Sequence, residues 1–266
     1  ASDEAAAEID AVFDFSAMSK SQPNFLADIP QQFRTGRPSE RNIELIGANS
    51  CWLNRDFDAL PEYKSDIASR YHATINTLNF DKPGPTVKRI NEWCDNQTQN
   101  LIPKIVTHDD FDPMLQQQLV LLNAVYFKGR WQIPFSKQDT KNETFHLADG
   151  TTMQTPMMSR TDQFQFRYHA GKNYEAVRLN YRGSASMIIL LPRENRTLAE
   201  MEARLDDDGF ALICKNLKSR RGTVKIPRFK FNSGDDSLTP ALKSLGINAI
   251  FDSTANHFPK INKAAV

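Results

Sequence analysis

The chain has 266 residues, 40% of them hydrophobic, so it can bury a sizeable core in one large domain or two ordinary ones. Lys and Arg number 33 against 32 Asp and Glu, and a net charge of +1 supplies no long-range field to gather nucleic acid or a membrane surface. No apolar run approaches membrane-spanning length, and Cys51, Cys94 and Cys214 are too scattered, and odd in number, for a disulfide framework or a CxxC metal knuckle.

Residues 2–13 read as a helix capped by Ser2, with Ala5, Ile9, Val12 and Phe13 turned inward. No secretory leader stands ahead of Ala1, which suits a mature or a cut form. Residues 24–34 could carry a second helix through Phe25, Ile29 and Phe33, but Pro30 argues against it. Arg34, Arg37 and Arg41 surround the loop that follows and read as a solvated face. Residues 43–53 form a strand, residues 57–71 an amphipathic helix with Leu60, Tyr63, Ile67 and Tyr71 on one stripe, and residues 73–80 a second strand. Pro83-Gly84-Pro85 is expected to break the chain. A helix then opens at Thr86, with Val87, Ile90, Cys94 and Leu101 facing in.

Residues 119–127 are apolar on both alternating faces: Leu119, Leu121, Val125 and Phe127 on one, Val120, Leu122, Ala124 and Tyr126 on the other. Such a strand is expected in the middle of a large sheet, covered from both sides. Asn123 is the misfit. Buried without partners its amide would cost a few kcal/mol, so it either pins local backbone or clasps a neighbouring strand. Residues 164–169 and 177–181 are half-buried strands joined by a turn at Gly171-Lys172-Asn173, and residues 186–191 add a third strand expected to be more fully buried. Thr197 and Glu200 make a capping box, and residues 206–218 form a helix acidic at its start and basic at its end. In residues 224–231 the apolar phase flips at Pro227, so the strand is expected to pass there from one sheet to another. Ser237 caps a last helix that Gly246 stops.

The sequence offers no catalytic constellation. Gly183-Ser184-Ala185-Ser186-Met187 does not complete the GxSxG elbow, and the five histidines show no metal-ligand spacing. No cofactor is expected. Asn96, Asn142 and Asn195 each head an N-x-T triplet and are glycosylation acceptors in a secretory setting, which favours a secreted, extracellular protein. Lys215, Lys218, Arg220, Arg221, Lys225, Arg228 and Lys230 lie within sixteen residues without an acid among them. They read as a solvated edge or as a patch for a sulfated polysaccharide, with Lys215 to Lys225 the candidates.

Residues 119–135, LVLLNAVYFKGRWQIPF, resemble the LVLVNAIYFKGxWxxxF pattern of the serpins. Further matches follow in order: Ile90-Asn91-Glu92-Trp93 with Thr98, Pro156-Met157-Met158, Ser186 through Pro192, Ile226-Pro227-Arg228-Phe229-Lys230, and Leu242 through Ile247. The resemblance implies an α+β serpin fold: a large central mixed β-sheet, two smaller sheets and surrounding helices. It treats residues 1–266 as a single serpin domain incomplete at both ends, with the reactive centre outside these residues. It also implies a monomer that traps serine or cysteine proteases. The protease cleaves an exposed reactive loop, which inserts while still acyl-linked into the main sheet beside residues 119–127. In that scheme Asn123 sits where the sheet parts and Trp131 near the point of first entry. Target proteases are the implied partners, and some family members bind a glycosaminoglycan near the helix beside Arg34, Arg37 and Arg41. The alternative within the family is a non-inhibitory carrier, chaperone or storage protein.

Overall fold

The computed structural model describes residues 2–15, 42–111, 114, 117–147, 149–193, 196–203, 205–229, 238–252 and 258–262. The chain divides into two compact units, Ala1–Phe127 with Ser233–Val266, and Lys128–Asn232. The expectations for residues 24–34, the three arginines near them, Ser237 and Asn195 lie outside the described residues. No described helix is long and apolar enough to cross a membrane.

In the first unit α1 (Asp3–Phe13) is capped by the Ser2 hydroxyl, which accepts from the Ala5 N–H. Only Ala5 is buried, and Phe13, expected inside, is 43% exposed. Glu8 instead fixes the helix in place by accepting from the Asn248 and Ala249 N–H groups at 2.8 and 2.7 Å. The strand β1 (Ile43–Asn54) pairs parallel with β2 (Thr74–Leu78), from Ser50↔Thr74 to Asn54↔Leu78. On its other side lies β3 (Leu119–Gly129), giving the order β2-β1-β3. The Asn54 N–H donates to the Gln118 carbonyl, and Asn49 meets Asn123, so β3 runs antiparallel to β1. The sheet is therefore mixed.

Two helices cover it. Between β1 and β2 comes α2 (Pro61–Tyr71), which starts at Pro61 itself, and α3 (Pro83–Gln97) follows β2. Pro83-Gly84-Pro85 forms the first turn of α3 instead of a break, because the first helical N–H groups have no partner that proline would remove. Trp93 is buried, whereas Leu101 is 51% exposed. On the α3 side, Ala48, Trp52 and Ala124 of the sheet pack with Phe80, Ile90, Trp93, Cys94 and Phe111, and Trp52 meets Trp93 edge to face at 6.0 Å. On the α2 side, Cys51 and Leu53 pack with Ala59 and Ile67.

This arrangement corrects the expectation for residues 119–127. Among the described residues β3 is the terminal strand of its sheet and is covered on one face. Val120, Leu122 and Ala124 join the core beneath α3. On the opposite face only Leu119 reaches the α2 cluster, while Leu121, Val125 and Phe127 are 58%, 57% and 44% exposed. An 11-residue helix such as α2 is about 16 Å long. It covers the lower end of the strand and leaves the rest.

The second unit is a five-stranded sheet in the order β4 (Lys141–His146), β5 (Thr152–Ala170), β6 (Tyr174–Asn180) and β7 (Ser186–Pro192), with β8 (Lys218–Pro227) paired to β5. One edge of β5 pairs first with β4 and then with β6, and the other edge pairs with β8 from Met157 to Tyr168. The passage from one part of the sheet to the other is thus made by β5, whose register shifts between Gln163 and Phe166. Among the described residues β8 ends at Pro227, where the crossing was expected, and Lys230 and Phe231 lie outside them. As a terminal strand β7 is also less buried than its composition suggests, with Leu191 60% exposed.

The capping box forms as expected in α4 (Leu198–Glu202). In α5 (Asp207–Asn216), Ile213 packs with Leu217 on Ala176 and Ile188. In the first unit α6 (Thr239–Ser244) ends in a Schellman turn. There the Ile247 N–H donates to the Leu242 carbonyl, the Gly246 N–H to that of Lys243, and Gly246 has φ +99°.

Cys51 and Cys94 are free and 0% exposed, and Cys214 is half-buried. Burial pushes the Cys51 and Cys94 thiols up, so they remain protonated and unreactive near neutral pH. A thiol-counting reagent at pH 8 is expected to titrate Cys214 alone in the native protein, and all three thiols in guanidinium. Rapid labelling of Cys51 or Cys94 without denaturant would contradict this core.

Candidate functional site

The region expected to open lies on β3, where Asn123 leaves the apolar pattern. Its side chain is exposed yet engaged: Nδ2 donates to Asn49 Oδ1 on β1 at 2.7 Å, and Asn49 Nδ2 donates to the Tyr71 carbonyl at the end of α2, also at 2.7 Å. Of the two readings left open, local pinning and a clasp between strands, the geometry is that of a clasp. The chain of amides ties β3 to β1 and β1 to α2. Asn49 is marked as a partner by nothing in the sequence beyond its place in the small stretch Gly47-Ala48-Asn49.

Trp131 falls in the other unit. It bridges to Tyr181 in antiparallel fashion, stacks on that ring at 4.4 Å and 11°, and meets Phe135 edge to face at 6.2 Å. Gly129 is required there, since a methyl group at its position would lie 2.6 Å from the Tyr181 ring. The Gln132 N–H donates to the Asn180 carbonyl and the Arg182 N–H to that of Arg130, so this segment is sewn to the end of β6. Arg160, absent from the sequence reading, lies with its guanidinium 5.4 Å from the Phe135 ring and 4.7 Å from that of Phe166 and donates to the Ile133 carbonyl. Burial lowers its affinity for the proton.

The basic run does not form one patch. Strand alternation sets Lys218 and Arg220 on one face of β8 and Arg221 and Lys225 on the other. Lys225 is committed to Glu143, whose two carboxylate oxygens accept from its ammonium at 2.8 Å each, within a cleft that Arg160 also lines. Lys215 sits in the last turn of α5. Of the glycosylation candidates, Asn96 and Asn142 are exposed, Asn142 on β4. The Thr98 hydroxyl of the first triplet is buried and donates to the Cys94 carbonyl, and the Asn96 amide donates to that of Glu92.

A family model described as Serpin (serine protease inhibitor) matches residues 1–266. Serpin-Z10 of Arabidopsis thaliana is 31% identical over 84% of this chain and 58% of its own length. Iripin-8 of Ixodes ricinus is 30% identical over 92% of this chain and 60% of its own. The chain thus spans little more than half the length of these relatives. Among solved structures, cleaved Serpin 42Da superposes with a TM-score of 0.81 at 26% identity, covering 98% of this chain and 68% of that one. Emu ovalbumin superposes with a TM-score of 0.79, also at 26% identity, over 91% and 62%.

If the amide clasp holds β3, Asn49→Ala and Asn123→Ala each cost about 0.5–1 kcal/mol in chemical denaturation, and the double variant costs clearly less than their sum. Additive losses would show that the two amides act separately. Gly129→Ala is expected to cost about 1–3 kcal/mol, most of it recovered when Tyr181→Ala removes the ring it strikes.

Proposed function

The chain belongs to the serpin family, and on that premise we propose that it is an inhibitor of serine or cysteine proteases which traps its target by insertion of a cleaved loop. The observation that carries this reading is the family match across all 266 residues. The whole is read as one serpin domain. In the proposed mechanism the protease nucleophile attacks a loop carbonyl, the peptide bond breaks, and the new amino terminus departs while the other half remains esterified to the enzyme. The freed strand then pairs along β3.

The geometry of the first unit supports this step. The outer edge of β3 takes no strand among the described residues, and one of its faces carries Leu121, Val125 and Phe127 in solvent. An added strand gains ladder hydrogen bonds, each contributing about 0.5–1.5 kcal/mol net, and helps withdraw apolar surface from water. The Asn123–Asn49 clasp lies on the sheet that receives it.

The likeness to emu ovalbumin supports a second reading, a non-inhibitory serpin that stores or carries. The protein is further proposed to be secreted and monomeric, with glycans at Asn96, Asn142 and Asn195. A sulfated polysaccharide is proposed to engage Lys218 and Arg220, which share one face of β8.

Incubation of the protein, with whatever sequence flanks residues 1–266 in its gene product, against a panel of serine and cysteine proteases separates the two readings. A complex that survives boiling in detergent is expected. Simple digestion by every member, with no rise in thermal stability, would leave the passive reading. On a heparin column, Lys218→Ala with Arg220→Ala is expected to elute at lower salt, and unchanged elution would remove the polysaccharide.

A further inference from the structure

The hairpin of β6 and β7 ends in a cleft of about 270 Å³ lined by Gln132, Arg178, Asn180, Arg182 and Ser184 together with the turn backbone. No carboxylate lines it. Arg178 and Asn180 share one face of β6 by strand alternation. The turn of residues 181–185, closed by the Tyr181 N–H to the Ala185 carbonyl at 3.1 Å, brings Arg182 and Ser184 back toward them. Backbone hydrogen bonds from Gln132 to Asn180 and from Arg182 to Arg130, with the Trp131–Tyr181 stack, hold both walls.

The charge on this hairpin is unbalanced. Arg178 stands directly opposite Arg167 of β5 in the β5–β6 register, and like charges in that relation repel. Among the described residues neither of them, nor Arg182, pairs with a carboxylate, and Glu175 of β6 is taken by Arg193 at 3.5 Å. Two exposed guanidinium groups, Arg178 and Arg182, form with two amides and a hydroxyl a donor set without an acceptor of equal charge, and Arg167 faces Arg178 from the neighbouring strand. A fold holds such a set at a cost that an anion would remove.

We propose that this cleft binds a tetrahedral oxyanion, a sulfate or phosphate ester group, through Arg178 and Arg182, with Gln132, Asn180 and Ser184 as neutral donors. The arginine fork matches two oxygens of such a group. The cleft stands open to solvent, so the group can be the end of a larger molecule. The site rests on the geometry of the second unit alone and is separate from both the protease reading and the Lys218–Arg221 stretch.

Titration calorimetry with inorganic sulfate, inorganic phosphate, a sulfated disaccharide and O-phosphoserine, at ionic strength held constant with chloride, tests it. One saturable site per chain is expected. Arg178→Gln with Arg182→Gln is expected to weaken it about tenfold or more, the scale of a lost charge-assisted contact. Arg220→Gln with Arg221→Gln is expected to change it less than about twofold. Tighter binding of the disaccharide assigns the group to a sulfated sugar, and tighter binding of O-phosphoserine to a phosphate monoester. Relieved of the Arg167–Arg178 repulsion, the glutamine variant should melt no lower than the parent in chloride. If it fails to fold, Arg178→Lys with Arg182→Lys keeps the charge and loses the fork, and several-fold weaker binding is then expected. Heat that never saturates, or a site indifferent to every change at Arg178 and Arg182, would overturn the proposal. Protease inhibition by the Arg178 and Arg182 variants is expected to be unchanged, so a failure here is distinguishable from a failure of the protease reading.

Discussion

The first unit depends on how one strand is held. Apolar contact attaches β3 on the α3 side through Val120, Leu122 and Ala124, while a chain of amides from Asn123 through Asn49 to the Tyr71 carbonyl attaches it on the other. Hydrophobic burial is non-directional and tolerates sliding, whereas an amide-to-amide bond of 2.7 Å fixes register. A strand so attached has a defined place beside β1, and among the described residues no strand pairs with its far side. That combination is what the proposed insertion of a further strand would call for.

The second unit solves a different problem, which is how the segment leaving β3 is made rigid. Gly129 admits the Tyr181 ring, Trp131 stacks on it, and Phe135 and Phe166 flank the Arg160 guanidinium. Aromatic stacking and cation contact confine several side chains with few hydrogen bonds to satisfy. The same scaffold positions Arg178 and Arg182, so the proposed oxyanion cleft depends on the hairpin that this stack holds.

Much of this was legible in the sequence. Strand β3, the capping box at Thr197 and Glu200, and the Gly246 stop follow from short-range rules, because each is decided by residues within one turn or one strand. The family resemblance likewise rests on a contiguous run. Burial was less legible. The alternation of residues 119–127 states that both faces are apolar, but whether a helix lies over Leu121 and Val125 depends on the length and position of α2, far away in sequence. The break expected at Pro83-Gly84-Pro85 failed because proline is costly inside a helix and harmless in its first turn. Counting charges left the basic run as either a solvated edge or a patch, because it ignores the two faces of a strand, which divide Lys218 and Arg220 from Arg221 and Lys225. Arg178 and Arg182 were missed because a turn brings them to one cleft, and the Arg167–Arg178 pair because register across two strands, and not sequence spacing, sets it.

The central claim is that the outer edge of β3 is a place for one more strand. Backbone hydrogen exchange over residues 119–129, compared between the intact gene product and the same protein nicked by a protease, addresses it directly. Slowed exchange at alternate amides of β3 in the nicked form, with the β1-facing amides unchanged, is the predicted pattern. Exchange along β3 that stays the same or quickens after nicking would contradict the account.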